Sequence, residues 1–133
     1  MIDTNEIIRA YLAADAGLIP LVGSRIYCPR LPENADLPAI GFFTRGGTAN
    51  PHIPEIPGPS VQFDCWGTSF IEARQVYRAL YDALQGLQDE KVTIGADTYM
   101  ILSAIEEVQG QDLADPEIQG YYRTLCFFSF IIR

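Results

Sequence analysis

The stretch VQFDCWGTSFIEARQVYRALYDAL, residues 61–84, decides the fold because it joins a clear strand to a clear helix. Polar and apolar side chains alternate over Val61–Trp66, so every second residue is expected to face a buried core. Apolar residues then recur at helical spacing over Ser69–Leu87, and Ser69 with Glu72 has the pattern of a capping box. A strand followed directly by an amphipathic helix predicts a helix that packs on a sheet.

Further strands and a second helix are predicted on both sides of this stretch. Aromatic and β-branched content, bounded by turn residues, predicts strands at Ala39–Arg45, Val92–Ile94, Thr98–Gln109 and Tyr121–Arg133. Asp3–Asp15 is periodic at helical spacing, and a short helical turn is expected near Pro20. The late strands have short connections and should pair antiparallel. We therefore predict one α+β domain over residues 1–133, with a mostly antiparallel four- to five-stranded sheet and two helices packed on one face.

Two segments rich in proline or glycine separate these elements. Cys28–Pro38 contains three prolines and is expected to be an extended connector over the surface. Gly46–Ser60 is too long and too rich in glycine and proline for a hairpin turn. We expect it to be a long loop that becomes ordered against a partner.

The charge balance excludes several classes of function. The formal net charge is −8 and the pI is near 4.4, which opposes nucleic-acid binding and docking on anionic membranes. The sequence shows neither a basic signal-peptide region nor an apolar run of the ~20 residues that a membrane helix needs. Three cysteines without a C-x-x-C spacing are expected to be buried, reduced thiols. These features suit a protein that contacts other proteins, or one that DNA passes without adhering.

Groups capable of catalysis are few. The only histidine, His52, lies in the long loop, where no neighbouring element would hold it in place for catalysis. Together with Glu55 it could offer a metal ion two ligands, whereas zinc prefers four. Glu106 and Glu107 are adjacent on a strand and should point to opposite faces. Asp64 is open to two interpretations, a buried acid with a raised pKa or a carboxylate on the solvated face, and the alternation of its strand favours the second. We expect no catalytic site, no metal and no cofactor.

The last strand has two apolar faces. Alternate residues from Tyr122 to Ile132 should lie under the helices, whereas a solvated opposite face would be polar. Leu125, Phe127 and Ile131 make that opposite face partly apolar, and no third long helix remains to cover it. Either the Cys28–Pro38 connector or the long loop folds over it, or a neighbouring subunit or another protein buries it during assembly. The predicted assembly surface comprises Leu125, Phe127, Ile131, Arg45, His52 and Glu55.

Three stretches carry a resemblance to a known family. They are LAADAGLIPLVGSRIYCPRLP (residues 12–32, followed by LPAI at 37–40), VQFDCWGTSFIEARQVYRALYDAL (61–84) and DLADPEIQGYYRTLCFFSFII (112–132). In this order they resemble the small tail-completion proteins of tailed phages and prophages, a family similar in fold to tail terminators. The strand-to-helix junction at 62–66 is the most specific of these motifs, and the resemblance omits only residues 46–60 and 88–97.

The resemblance implies a structural role and no enzymatic activity. Subunits would form a ring, expected to hold six copies, at the head-proximal end of the tail tube. The ring would stop polymerisation by the major tail tube protein and offer a surface to the head–tail connector proteins, and DNA would pass through a negatively charged lumen without specific binding. The protein would occur in the host cytoplasm during assembly and then in the virion tail.

Two alternatives remain at the level of sequence. One is a head–tail neck or adaptor protein from the same gene cluster. The other is a small hydrolase or ligand-binding module that uses Asp64 and His52. Neighbouring genes would discriminate between structural and metabolic roles.

Overall fold

The fold is known from a computed structural model that describes residues 3–49, 56–114 and 120–133. In chain order, its elements are α1 (Thr4–Ala13), α2 (Ile19–Val22), β1 (Ile26–Tyr27), β2 (Ala39–Thr48), β3 (Gly58–Gly67), α3 (Phe70–Leu84), β4 (Leu87–Ile94), β5 (Asp97–Ala114) and β6 (Tyr122–Ile132). The strands form one sheet in the order β1-β2-β3-β6-β5-β4. β1 is parallel to β2, and the other neighbouring pairs are antiparallel. The predicted α+β class is confirmed.

Both long helices begin where the sequence predicts. At α1 the Asp3 carboxylate accepts hydrogen bonds from the backbone N–H groups of Asn5 and Glu6. At α3 the Ser69 hydroxyl accepts from the backbone of Glu72 at 3.2 Å. The Glu72 carboxylate in turn accepts from the backbone of Thr68 at 2.9 Å, one residue earlier than in the usual capping box. These bonds satisfy N–H groups that the helices leave without internal partners.

The helices pack on one face of the sheet, which we call the core face. Its centre is the Phe63 ring, which lies 5.7, 5.8 and 6.2 Å, between centroids, from the rings of Phe42, Phe128 and Phe130. All four rings are fully buried, as are the following aliphatic side chains of α1 and α3: Ile8, Leu12, Val76, Leu80 and Leu84. The predicted inward face of the last strand is thereby confirmed from Thr124 to Ile132.

The cysteine expectation is confirmed for two of the three residues. Cys65 and Cys126 are free thiols, fully buried on the core face. Cys28 is also free but only half-buried, so the expectation that it is buried was wrong. It lies just after β1, at the start of the surface connector.

The sheet has six strands, and the prediction of four to five was wrong. The sixth is β1, whose two residues are too few to show any periodicity; it pairs with Ile40 and Gly41 at the edge of the sheet. β4 also begins at Leu87 rather than at Val92. Its polar run at 88–91 indicated a loop, but these residues belong to an edge strand that is largely exposed.

The loop within Gly46–Ser60 is also shorter than expected, because both of its ends belong to strands. Gly47 pairs with Pro59 and Thr48 with Gly58, so β2 and β3 extend into it as a hairpin. A Cβ atom on Gly47 would collide with the carbonyl oxygen of Gly58, which explains why glycine is needed at this close approach. β5 likewise runs five residues beyond the predicted Gln109, to Ala114. In the described part of the chain, none of the helices has the length and apolarity needed to cross a membrane.

Candidate assembly surface

The face of the sheet away from the helices, which we call the outer face, is covered over part of its area. Gly41 lies on this face, and a Cβ atom added to it would stand 3.3 Å from the Cα atom of Arg30 in the 28–38 connector. The Tyr121 hydroxyl donates a hydrogen bond to the carbonyl oxygen of Ala35 at 3.1 Å. The connector therefore packs across the outer face near β2 and the start of β6. The connector was expected as one possible cover for Leu125, Phe127 and Ile131, whereas the contacts described here are with Gly41 and Tyr121.

Asp64 lies in this covered region, opposite Gly41 on the neighbouring strand. It points to the outer face, as the alternation predicts, but it is only 6% exposed, so the expectation of a solvated carboxylate was wrong. Burial raises its pKa, while the Arg123 guanidinium, whose Nη1 atom lies 3.3 Å from Oδ1 of Asp64, opposes that shift. The same guanidinium lies 5.5 Å from the centroid of the Trp66 ring. Asp64 thus joins a packed cluster that holds the connector side of the sheet together.

The rest of the outer face is open. Ile105, Val108 and Ile131 are 55%, 48% and 45% exposed. Their cross-strand partners show that they share this face: Val108 pairs with Phe127, and Ile105 pairs with Ser129, two residues further along β6. We call Ile105, Val108, Phe127 and Ile131 the outer-face patch. It is an exposed apolar area on a sheet, the kind of surface that marks a protein–protein contact.

A polar group covers the middle of this patch. The guanidinium carbon of Arg45 lies 3.9 Å from the centroid of the Phe127 ring. Arg45 also donates to the Ser60 hydroxyl at 3.0 Å and to the Glu107 carboxylate at 3.3 Å. Ser60 completes the cluster with a hydrogen bond of 2.7 Å to Glu107. Because the Arg45–Glu107 pair is well exposed, it contributes little stability, and a partner could displace it at low cost.

The structure brings together four of the six residues predicted for the assembly surface. Phe127 and Ile131 belong to the patch, Arg45 lies over Phe127, and half-buried Leu125 lies between the patch and the covered region, paired with Asp64. His52 and Glu55 fall outside the described residues.

Sequence reasoning missed Ile105 and Val108. Two irregularities in the pairing of β5 with β6, on either side of Val108, interrupt the alternation that would have assigned these residues to a face. The sequence did contain a signal for them: an isoleucine and a valine flank Glu106 and Glu107 in a predicted strand, which places apolar side chains in an otherwise charged stretch.

No catalytic constellation is assembled by residues 3–49, 56–114 and 120–133. Glu106 faces α3, where its carboxylate and the Tyr77 hydroxyl form a hydrogen bond, whereas Glu107 faces Arg45 on the other side, so the predicted opposite orientation is confirmed. Within the same ranges, no three His, Cys, Asp or Glu side chains are grouped to hold a metal ion. The Asp64 carboxylate accepts a hydrogen bond from the Arg123 guanidinium at 3.3 Å.

One edge of the sheet, along β4 and the part of β5 beyond it, has features that oppose pairing with another strand. Beyond β4, side chains of α3 bind backbone groups along β5: Gln85 accepts from Glu106 N–H at 2.7 Å, and Tyr77 accepts from Gly110 N–H at 3.1 Å. Arg74 donates to the carbonyl oxygen of Gly110 at 3.1 Å. β4 itself has an irregular backbone at Asp89, whose φ is 51°, within a charged run, although its register with β5 is continuous. Such features oppose association through this edge of the sheet.

Comparison with known proteins gives a likeness of fold. No family model matches the chain, and no curated protein matches it. Among solved structures, a chain from the virion of a native gene transfer agent particle is similar, with a TM-score of 0.67 over 97% of this chain and 93% of that chain. The two sequences are 15% identical. The likeness therefore covers nearly the whole of both chains and is a likeness of fold.

Proposed function

We propose that this protein is a structural subunit of a tailed-phage or phage-like particle, a tail-completion protein that caps the head-proximal end of the tail tube. The observation that carries the proposal is the open outer-face patch, which a protein of this size would be expected to cover or to use. The end-to-end likeness in fold to a chain of a gene transfer agent virion supports the same conclusion. So does the resemblance of residues 12–40, 61–84 and 112–132 to tail-completion proteins.

The work of such a subunit is binding, and the patch can supply it. Burying apolar area contributes about 25 cal/mol for each Å² removed from water. Association also costs several kcal/mol in lost freedom of motion, so one patch of this kind gives a weak contact for a single pair of subunits. In a closed ring each subunit makes two such contacts, which strengthens the assembly without requiring a stable dimer. The proposed ring contains six copies.

The charge of the protein supports passage of DNA rather than binding to it. A subunit with a net charge of −8 gives a ring whose summed charge repels phosphates. We propose that the lumen of the ring is negatively charged. A gel-shift measurement with duplex DNA at low salt should show no complex, and tight binding would contradict the proposed role.

Deletion of the gene, with complementation by variants, tests the function. We expect electron microscopy of the deletion strain to show complete heads beside tails that are overlong or unjoined. Ile131→Glu should fail to restore joined particles, because it places a charge in the patch. Thr93→Glu, at an exposed position on edge strand β4, should restore them. Tails of normal length joined to heads in the deletion strain would overturn the proposal, and heads without any tails would assign the protein to the neck or adaptor class.

A further inference from the structure

The proposed ring requires two different surfaces on each subunit, and the second surface can be located. In a closed ring of more than two subunits, every copy offers one patch to the next copy and a different patch to the previous one. The outer-face patch provides the first surface. This reasoning depends on the proposed function, because a protein that forms no ring needs no second surface.

The second surface should be concave and should lie on the helix side of the molecule. A cleft of about 670 Å³ opens there between the α1–α2 turn and α3. Its apolar lining consists of Leu21, Ala79 and Ala83, together with Gly17. The small side chains of Ala79 and Ala83, with Gly17, leave room for projecting branched side chains such as Ile105 and Ile131. The cleft and the patch lie on opposite sides of the sheet, so they are the two different surfaces that a head-to-tail contact needs.

The charges at the two surfaces are complementary. Arg78 and Asp82 lie one helical turn apart along α3 and line the cleft, with Asp15 across from them. The outer-face patch has its own exposed pair, Arg45 and Glu107. When the patch lies in the cleft of a neighbour, Arg45 can approach Asp82 while Glu107 approaches Arg78. Complementary potentials of this kind set the register of a contact and disfavour wrong pairings.

We propose that the outer-face patch of one copy docks in the α1–α2/α3 cleft of the next copy, so that the ring is built from a heterologous contact between sheet and helices. The occupant of the cleft is thus a second copy of this chain. The proposed contact uses the outer-face patch and the cleft, and edge strand β4 stays outside it.

Thiol cross-linking in assembled particles tests this arrangement. The background is Cys28→Ser, since Cys65 and Cys126 are fully buried. Ile105→Cys marks the patch and Gln75→Cys marks the cleft; both positions are exposed. With a short bifunctional thiol reagent, particles with both substitutions should give a ladder of bands extending beyond the dimer. Particles with only one of the two should give monomer.

Two controls separate failure of this contact from failure of the proposed function. Glu90→Cys, on exposed β4, replaces Gln75→Cys in a matched double variant and should give no ladder. Ile131→Cys with Asp82→Cys repeats the test at a second pair of positions. Dimers from Ile105→Cys alone would show that two sheet faces meet and would overturn the inference, as would the absence of cross-links from both pairs. The production of joined particles by these strains reports on the proposed function independently.

Discussion

The covered and open regions of the outer face differ although the same central strands run through both. Near Gly41 the connector packs on the sheet, the Asp64–Arg123 pair is sheltered, and Tyr121 ties the connector down. Around Phe127 the Arg45 guanidinium lies over the sheet, and three aliphatic side chains are about half exposed. The difference teaches that apolar content alone does not identify a binding surface. The connector covers one region of the outer face, and the open region is the proposed assembly surface.

The largest expected effect comes from lifting the connector off the covered region. Gly41→Leu forces a branched side chain against the Arg30 backbone and should lower the free energy of unfolding by about 1–3 kcal/mol. Urea denaturation measures this loss. Gly41→Ala is the matched control and should cost less, since its one added atom meets the backbone at 3.3 Å. Equal stabilities for wild type and Gly41→Leu would show that the connector does not pack here.

A smaller effect is expected from the single tether at Tyr121. Tyr121→Phe removes the hydrogen bond to the carbonyl oxygen of Ala35 and should cost about 0.5–1.5 kcal/mol by urea denaturation. Proteolysis within the 28–38 connector should become faster at the same time. Tyr99→Phe is the control: it removes a tyrosine hydroxyl from a half-exposed position on β5, away from the connector. If both variants are cut at the wild-type rate, the tether does not hold the connector.

Asp64, which lies in the covered region, should make the stability of the protein depend on pH. The pKa of Asp64 in the folded protein is raised above the ordinary value of 3.8, so the folded state binds the proton more tightly than the unfolded state does. The resulting stabilisation is fully present below pH 3.8 and is lost as pH rises through the higher folded-state pKa. Asp64→Asn should therefore flatten this part of the stability–pH curve measured by chemical denaturation. A slope identical to that of wild type would contradict burial of the ionisable carboxyl.

The smallest effect on stability is expected in the open region. Ile131→Glu replaces an exposed side chain and should change the free energy of unfolding by no more than about 0.5 kcal/mol, while we expect it to prevent the proposed ring assembly. Denaturation of the isolated protein, beside sedimentation at increasing concentration, separates the two properties. A loss of more than 1 kcal/mol would show that Ile131 supports the fold itself. A Phe127→Glu substitution would be a less decisive test, because it also removes the ring on which Arg45 packs.

The sequence predicted the long helices and the core face because both depend on local periodicity. Ser69 caps α3 as expected, Asp3 caps the first helix within the predicted Asp3–Asp15 segment, and the inward residues of β6 from Thr124 onwards are buried. The strand ends were missed for physical reasons. Glycines that allow close strand approach resemble loop glycines, and the charged residues of an edge strand resemble a turn. The two residues of β1 are defined only by their partner Ile40, which is distant in sequence.

The candidate site was predicted in part for the same reason. Phe127 and Ile131 follow from the alternation of β6, but the irregular pairing of β5 hid Ile105 and Val108. The burial of Asp64 depends on where a proline-rich connector lies, and such a path has no periodic signal. Arg45 was assigned to the surface, while its position over Phe127 required the register of three strands.

The contacts between α3 and β5 also set the order in which the molecule can open. Gln85 and Tyr77 bind the N–H groups of Glu106 and Gly110, so these amides cannot exchange with solvent until α3 moves away. A Cβ atom on Gly110 would lie 2.7–2.9 Å from side-chain atoms of Thr124 and Tyr77, so the helix and strand meet without spare room. α3 and the part of β5 beyond its pairing with β4 (residues 105–114) should therefore behave as one cooperative unit. Their amides should show equal opening free energies in native-state hydrogen exchange. Any mutation that loosens the helix will then shorten the lifetime of the strand that carries Ile105 and Val108.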